Sequence, residues 1–260
     1  MARRFCLVMA FIIVVGRLIS PYNPLTTRPE MSAAPPSTTF ALGTDALGRD
    51  VLSRVLYGGG TTALLGSGAA FIGIGFGLLL GTLQVFGVPV VRHAALLIEI
   101  VLLSLPGWLM ALVFVAGMGA SWKAVIIGVG MTQIAPFSRV VAMTFAHIST
   151  HLYVTAAEAG GASMGYLVRY IILPNASPIL IAAACATLAN GLLFTSGLTF
   201  LGLGGAANTP EWGAMLAEGR LAIRYAPWIA LSAGLPLVIL VASVNAIGRD
   251  FSLRGWSSSG

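Results

Sequence analysis

The sequence predicts an all-α membrane protein with six transmembrane helices. Of its 260 residues, 57% are hydrophobic and only 8% are charged, and the mean hydropathy is +0.93. A soluble domain carries about 25% charged residues, so this chain has too little polar surface to face water on all sides. Its apolar residues are also gathered into runs close to the ~20 residues that a helix needs to cross a bilayer. Composition and run length together place the chain in a membrane.

The first predicted span covers residues 1–20. From Phe5 to Ser20 the stretch is apolar apart from Arg17, and this run follows Arg3-Arg4. A signal peptide begins in the same way, but no good cleavage site is present after it, which favours a retained helix. Arg17 lies at the far end of the run, where a long side chain can reach the polar interface. We therefore expect a first transmembrane helix over residues 1–20.

An extracytoplasmic segment is predicted over residues 21–60. Its first half is rich in proline and threonine, which favours an extended chain. Its second half contains aliphatic residues at helical spacing, namely Val51, Leu52, Val55 and Leu56. This spacing predicts a short amphipathic helix that lies along the membrane interface. The charged residues beside it, Asp45, Arg49 and Asp50, lack the ligand spacing of a metal site.

Five further apolar stretches have the length of membrane spans. They run from Thr61 to Gly87, Ala94 to Gly117, Trp122 to Phe145, Ile179 to Gly202 and Ala226 to Gly248. The first of these is studded with glycine, and its Gly73-Ile-Gly-Phe-Gly77 run fits helix packing through small residues. Pro106, Pro136 and Pro236 lie inside spans, where they predict kinks that could also serve as hinges.

Polar side chains inside the spans are candidates for lining a path across the membrane, because placing them in lipid is costly. The candidates are Glu99, Gln133, Asn190, Thr195 and Ser196. Glu99 is the only acidic residue within a predicted span. It could line the path, or it could pair with Arg139 on a neighbouring helix.

The longest polar interruption in the second half of the chain runs from Tyr153 to Pro174. Its alanines favour a helix, Gly160 and Gly161 interrupt that helix, and Pro174 is predicted to end a second helix after the break. The pattern predicts a short helix, a tight break and a second helix, within a loop over residues 147–178. Small side chains on the first helix would let another protein approach closely.

This stretch resembles the EAA loop of the permease subunits of bacterial ABC importers. The matching positions are Thr155-Ala156-Ala157, Gly161 and Ile171-Ile172-Leu173-Pro174. Thr155 stands where the family has glutamate, and Glu158 lies about one turn further on. The resemblance implies a cytoplasmic coupling helix that docks into a groove on an ATPase. The coupling residues would be Thr155, Ala156, Ala157, Glu158, Gly161, Arg169 and Pro174.

Three other stretches are similar to the dipeptide, oligopeptide and nickel branch of this family. Residues 42–58 contain G-T-D-x-x-G-R-D-V-x-S-R, residues 198–220 contain F-L-G-L-G and P-E-W-G-x-M-L, and residues 226–228 begin a matching last helix. The resemblance implies the type I ABC importer permease fold, with residues 61–260 as the transmembrane domain. It also implies an outer face that contacts a solute-binding protein or forms the outer gate, through Asp45, Arg49, Asp50, Glu211 and Trp212. Glu211 and Trp212 could instead be simple interfacial anchors.

The resemblance further implies the partners and a multi-pass location in the bacterial inner membrane. The partners would be a homologous second permease, two cytoplasmic ATPases, an extracytoplasmic solute-binding protein and membrane lipid. The sequence is consistent with ATP and Mg²⁺ being bound by the partner ATPases, because this chain has no G-x-x-x-x-G-K-[ST] motif and its only lysine is Lys123. Neither a Ser/His/Asp set nor a His/Cys cluster is present, so we expect no enzymatic activity, cofactor or metal in this chain.

Peptides are the predicted cargo, with nickel or another small solute such as haem as the alternative. The net charge of +6 does not indicate nucleic acid, because the basic residues are scattered singly. A stand-alone channel or secondary carrier would explain six spans and an intramembrane Glu99. It would not explain the alanine- and glycine-rich element, and the paired inverted halves frequent in such carriers are not evident.

Overall fold

The computed structural model describes residue 16 and residues 18–204 and 209–257, with side chains up to residue 252. This part of the chain is helical, and its only β-type pairing is an isolated bridge between Thr44 and Asp50. A 3₁₀ turn at Pro29–Met31 precedes eight helices. They are α1 (Val51–Phe86), α2 (Pro89–Leu103), α3 (Gly107–Met118), α4 (Trp122–Ser149), α5 (Leu152–Ala159), α6 (Met164–Phe200), α7 (Trp212–Ala222) and α8 (Pro227–Ser257). The predicted first transmembrane helix lies outside the described residues, apart from residues 16 and 18–20.

Four of these helices, α1, α4, α6 and α8, are long and apolar enough to cross a membrane, and α2 with α3 would make a fifth span. The two short helices meet at an angle of 90°, so the apolar stretch predicted as a span over residues 94–117 is sharply bent, and the predicted kink lies at Pro106. Pro106 explains the break, because proline cannot donate a backbone hydrogen bond and disfavours helical geometry in the residue before it. The described chain is therefore an all-helical, multi-pass membrane protein.

Helix α1 begins at Val51, ten residues before the predicted span. It includes the residues that the sequence predicts to form a separate amphipathic helix. Asp50 caps the start of α1, where its carboxylate accepts a hydrogen bond from the backbone N–H of Ser53 at 2.8 Å. Val51 and Val55 are buried in a cluster with Trp212 and do not lie along a membrane interface. The prediction of a separate interfacial helix is wrong because α7 packs against this first part of α1.

Helices α1 and α4 pack closely and run in the same direction. A Cβ atom added to Gly73 would collide with Cβ of Gln133, and one added to Gly81 would lie 2.6 Å from the carbonyl oxygen of Ser138. Residue numbers therefore rise together along the two helices. The predicted packing through small residues is confirmed, and it places the glycine face of α1 directly on α4.

We expect Gly73→Ala to destabilise the protein, whereas Gly75→Ala should be neutral or slightly stabilising. The added methyl group at Gly73 would overpack the helix contact, which costs about 1–3 kcal/mol. At Gly75 it would meet no atom within 4 Å, and alanine favours the helix more than glycine does. Thermal unfolding of both variants in one detergent tests this, and equal Tm values would contradict the packing of α1 on α4.

Helix α6 returns antiparallel to α1, which gives the bundle two distinct ends. Midway along the pair, a Cβ atom on Gly191 would lie 2.7 Å from the carbonyl oxygen of Gly66. The start of α1 meets α7 and the start of α8 at one end, called here the α7 end. The last residues of α1 and α4 meet α5 and the start of α6 at the other end, called the α5 end.

The segment after α4 has the predicted order of helix, break and helix. Helix α5 ends at Ala159, and Gly161 reverses the chain with φ +84°, a conformation that favours glycine. The prediction that Pro174 ends the second helix is wrong, because α6 continues through it to Phe200. The residues just before the proline, Leu167–Ile172, are π-helical. This wider turn loosens the regular hydrogen-bond ladder where a proline would otherwise interrupt it.

Candidate coupling surface and intramembrane polar cluster

Helix α5 is attached to the bundle through one face and exposes the other. Val154 is buried against a cluster that includes Phe145 and Ile148 of α4 and Leu167 of α6. Ala157 is half-buried beside this cluster. A single apolar face therefore fixes α5 to two membrane helices, and the opposite face is free to receive another protein.

Most of the predicted coupling residues are exposed, and three of them lie on the free face of α5. Thr155, Ala156, Glu158, Gly161 and Arg169 are exposed, and Pro174 is exposed further along α6. Glu158 forms no ion pair within the described chain, so its carboxylate is available to a partner. Six of the seven predicted residues are therefore exposed, and only Ala157 is half-buried.

Sequence reasoning missed the large side chains that surround this small-residue face. Leu152 is 87% exposed, and Tyr153, Met164, Tyr166 and Tyr170 are also exposed. Tyrosine and methionine are enriched in protein interfaces. The i, i+4 spacing of Tyr166 and Tyr170 could have revealed them, because it places both rings on one helix face. We call residues 152–170 the coupling surface.

A buried polar cluster joins α1, α2 and α4 inside the membrane-spanning region. The carboxylate of Glu99 accepts hydrogen bonds from Nε2 of Gln84 at 2.7 Å, Oγ of Ser138 at 3.2 Å and Nε of Arg139 at 3.1 Å. The pairing of Glu99 with Arg139 that the sequence suggested is present. Three donors satisfy the carboxylate, which is the condition for tolerating a charge in an apolar interior.

The other four predicted path residues do not share one surface. Gln133 packs against Gly73, Thr195 donates to the carbonyl oxygen of Gly191 at 2.8 Å, and Ser196 donates to Oε1 of Glu211 at 3.4 Å. These three side chains are buried within the chain itself. Asn190 alone among the four is exposed, so only Asn190 could face a path in this arrangement.

The charged residues at the α7 end form a buried ion-pair network. Oδ2 of Asp45 contacts Nε of Arg49 at 2.6 Å and also Nη1 of Arg54. Glu218 of α7 completes the network, with its Oε2 2.9 Å from Nη2 of Arg49 and 2.5 Å from Nη1 of Arg54. The network fastens the segment before α1 to α7.

The five residues predicted at the outer face are buried, so direct contact of these side chains with a partner is not supported. Asp50 caps α1, and Glu211 caps α7 by accepting from the backbone N–H of Ala214 at 2.9 Å. Trp212 is 0% exposed and donates through Nε1 to the carbonyl oxygen of Val55 at 2.9 Å. The interfacial-anchor alternative for Trp212 is wrong, because its ring fills the space between α1 and α7.

The described part of the chain is an all-helical, multi-pass membrane bundle with a short exposed helix at one end. The comparison with known families defines the class of protein to which this bundle belongs. Residues 73–253 match the family described as binding-protein-dependent transport system inner membrane component, and the chain belongs to this family. It is thus a permease subunit of the ABC importer class.

The relatives and a solved structure agree with this assignment. The chain is 32% identical to the di/tripeptide transport system permease protein DppC of Pseudomonas aeruginosa, over 94% of this chain and 82% of the relative. It is also 32% identical to the glutathione transport system permease protein GsiD of Escherichia coli (strain UTI89), over 95% and 82%. A chain of the MetNI methionine ABC transporter in inward-facing conformations superposes with a TM-score of 0.63 at 21% identity, over 79% of this chain and 96% of that chain. This likeness shows the type I importer permease fold.

Proposed function

We propose that this chain is one of two permease subunits of an ATP-driven peptide importer. With a homologous second permease it would enclose the translocation path, and six spans would result if residues 1–20 form the first helix. The observation that carries the proposal is the coupling surface, an exposed helix fixed by one face to the ends of two membrane helices. The names of the relatives, which concern dipeptides, di/tripeptides and glutathione, support peptides as the cargo.

The packing at the α5 end suggests how ATP would drive this path. Val154 and Leu167 lie in the same buried cluster as Phe145 of α4 and as Ile172 and Leu180 of α6. Because a close-packed cluster transmits displacement, a shift of α5 would move the adjoining parts of α4 and α6 together. ATP binding would close two partner ATPases, and the docked α5 would convert that closure into alternating access.

The same proposal assigns the two ends to the two sides of a bacterial inner membrane. The α5 end would face the cytoplasm and the ATPases, which would bind ATP and Mg²⁺ in place of this chain. The α7 end would face outward, where a solute-binding protein delivers the cargo. In this role the chain would be a non-catalytic subunit that holds no cofactor of its own.

Reconstitution of the complete complex in proteoliposomes tests the proposal. We expect uptake of a labelled dipeptide only when ATP, the ATPases and the solute-binding protein are all present. Uptake of nickel or haem in place of peptide would favour the alternative cargo. Uptake driven by a proton gradient without ATP, and no copurifying ATPase, would show a secondary carrier and overturn the proposal.

A further inference from the structure

Helix α4 is enclosed in its first half and open on one face in its second half. No side chain from Ala124 to Ala135 is exposed, and Lys123 is the one exposed residue at the start of the helix. From there on, Pro136, Arg139, Met143 and Ala146 are exposed at helical spacing and form one stripe, called here the α4 stripe. The helix therefore presents a surface of mixed polarity over the half that leads to the α5 end.

Arg139 is the one charged member of the α4 stripe. Its side chain is 58% exposed, whereas that of its partner Glu99 is 9% exposed. The pair uses only Nε of the guanidinium, and neither Nη1 nor Nη2 has a hydrogen-bond partner among the described residues. Glu99 thus fixes the guanidinium of Arg139 through Nε, and the terminal nitrogens Nη1 and Nη2 are left without a partner in the described chain.

Lipid is a poor environment for that exposed face. A charged group in the hydrocarbon region is costly and normally faces a water-filled cavity or a partner. Arg139 lies ten residues before the end of α4 at Ser149, which is about 15 Å along a helix. Side chains on a helix lean toward its N-terminus, so Arg139 leans away from the nearer membrane surface and is poorly placed to reach lipid headgroups.

We propose that Arg139 binds the carboxylate of the cargo in the inner half of the translocation path, and that Glu99 is a positioning residue for it. This inference rests on the proposed peptide import. Peptides of different sequence share one C-terminal carboxylate, and the planar guanidinium is the side chain best suited to bind a carboxylate through two parallel hydrogen bonds. Because Glu99 already shares the positive charge, the cargo is held weakly enough to leave, as passage through a pore requires.

The test compares a dipeptide with its C-terminal amide. Alanyl-alanine and alanyl-alanine amide are supplied to the reconstituted complex at concentrations that give equal occupancy of the solute-binding protein. We expect wild-type uptake of the acid to exceed that of the amide, and Arg139→Gln to slow uptake of the acid to the amide's rate. The loss should be roughly tenfold or more, the usual effect of removing a hydrogen bond to a charged group.

Two further variants separate binding from structure. Arg139→Lys keeps the charge but lacks the two-pronged geometry, so it should transport the acid at an intermediate rate and the amide normally. Met143→Gln alters the same stripe one turn further on, at a side chain that is 68% exposed, and should leave the preference for the acid unchanged. ATPase activity and subunit copurification are measured for every variant.

Several results would overturn the inference. Equal slowing of acid and amide by Arg139→Gln would indicate a structural role, and loss of copurification in that variant alone would indicate a pair with the second permease. An unchanged acid preference in Arg139→Gln would show that the guanidinium does not contact the cargo. A loss of transport that is restored by changing the anionic lipid content would identify a lipid phosphate as the ligand of Arg139. Failure of the peptide-import proposal would be seen separately, as absence of uptake in the wild type.

Discussion

Replacing Ala156 with arginine is expected to uncouple this permease from its ATPases. Ala156 is exposed on the free face of α5, and arginine is a good helix former, so the isolated subunit should fold normally. In a docked complex the new side chain would be a charge without a partner in a close-packed contact. Such a charge costs about 3–5 kcal/mol, which corresponds to a roughly hundredfold or greater loss of affinity.

Copurification of the ATPases and cargo-stimulated ATP hydrolysis measure this effect. Thr27→Arg is the matched control, because Thr27 is exposed in the segment before α1, far from α5 in the sequence, and the substitution adds the same charge. Arginine at Ala157 or Gly161 would be less informative. Ala157 is half-buried against the bundle, and Gly161 has a positive φ that strains any other residue. Normal coupling in Ala156→Arg would mean that α5 is only a connector.

The second large effect is expected from Asp45→Asn at the α7 end. Oδ1 of Asp45 accepts from the backbone N–H groups of Leu47 at 2.8 Å and Arg49 at 3.0 Å, and asparagine can keep these contacts. Oδ2 faces the guanidinium groups of Arg49 and Arg54, and there the substitution removes the negative charge. Removing one partner of a buried ion pair costs about 3–5 kcal/mol, and here two buried guanidinium groups would be left with the single carboxylate of Glu218.

Thermal unfolding in detergent should show this loss as a fall in Tm of roughly 10 °C. Glu30→Gln is the control, since Glu30 is an exposed acid in the same segment and has no ion pair in the described chain. Its Tm should stay close to that of the wild type, as is usual for a surface substitution. Equal Tm values for the two variants would show that the network does not hold the segment on α7.

Local sequence patterns predicted the order of helices over residues 152–170. A run of alanines, a Gly-Gly pair and a return to apolar residues were enough for the order of α5, break and α6, because propensity and chain reversal depend on neighbouring residues. The same local rules failed at Pro174 and around residues 51–60. A π-helical stretch carries α6 past the proline, and packing against α7 joins the predicted amphipathic helix to α1.

The sequence by itself determined the membrane class, the helical fold and the family, since these depend on composition, run length and motifs that lie close together in the chain. Only the tertiary structure decided which polar residues face inward. Glu211 and Trp212 are buried through contacts with Thr62 and Val55, about 150 residues earlier, and Arg54 meets Glu218 across 164 positions. It also selected Arg139 over Glu99 as the exposed member of their pair. Such burial depends on which helices become neighbours, and hydrophobic periodicity within one helix does not specify the partner that will cover it.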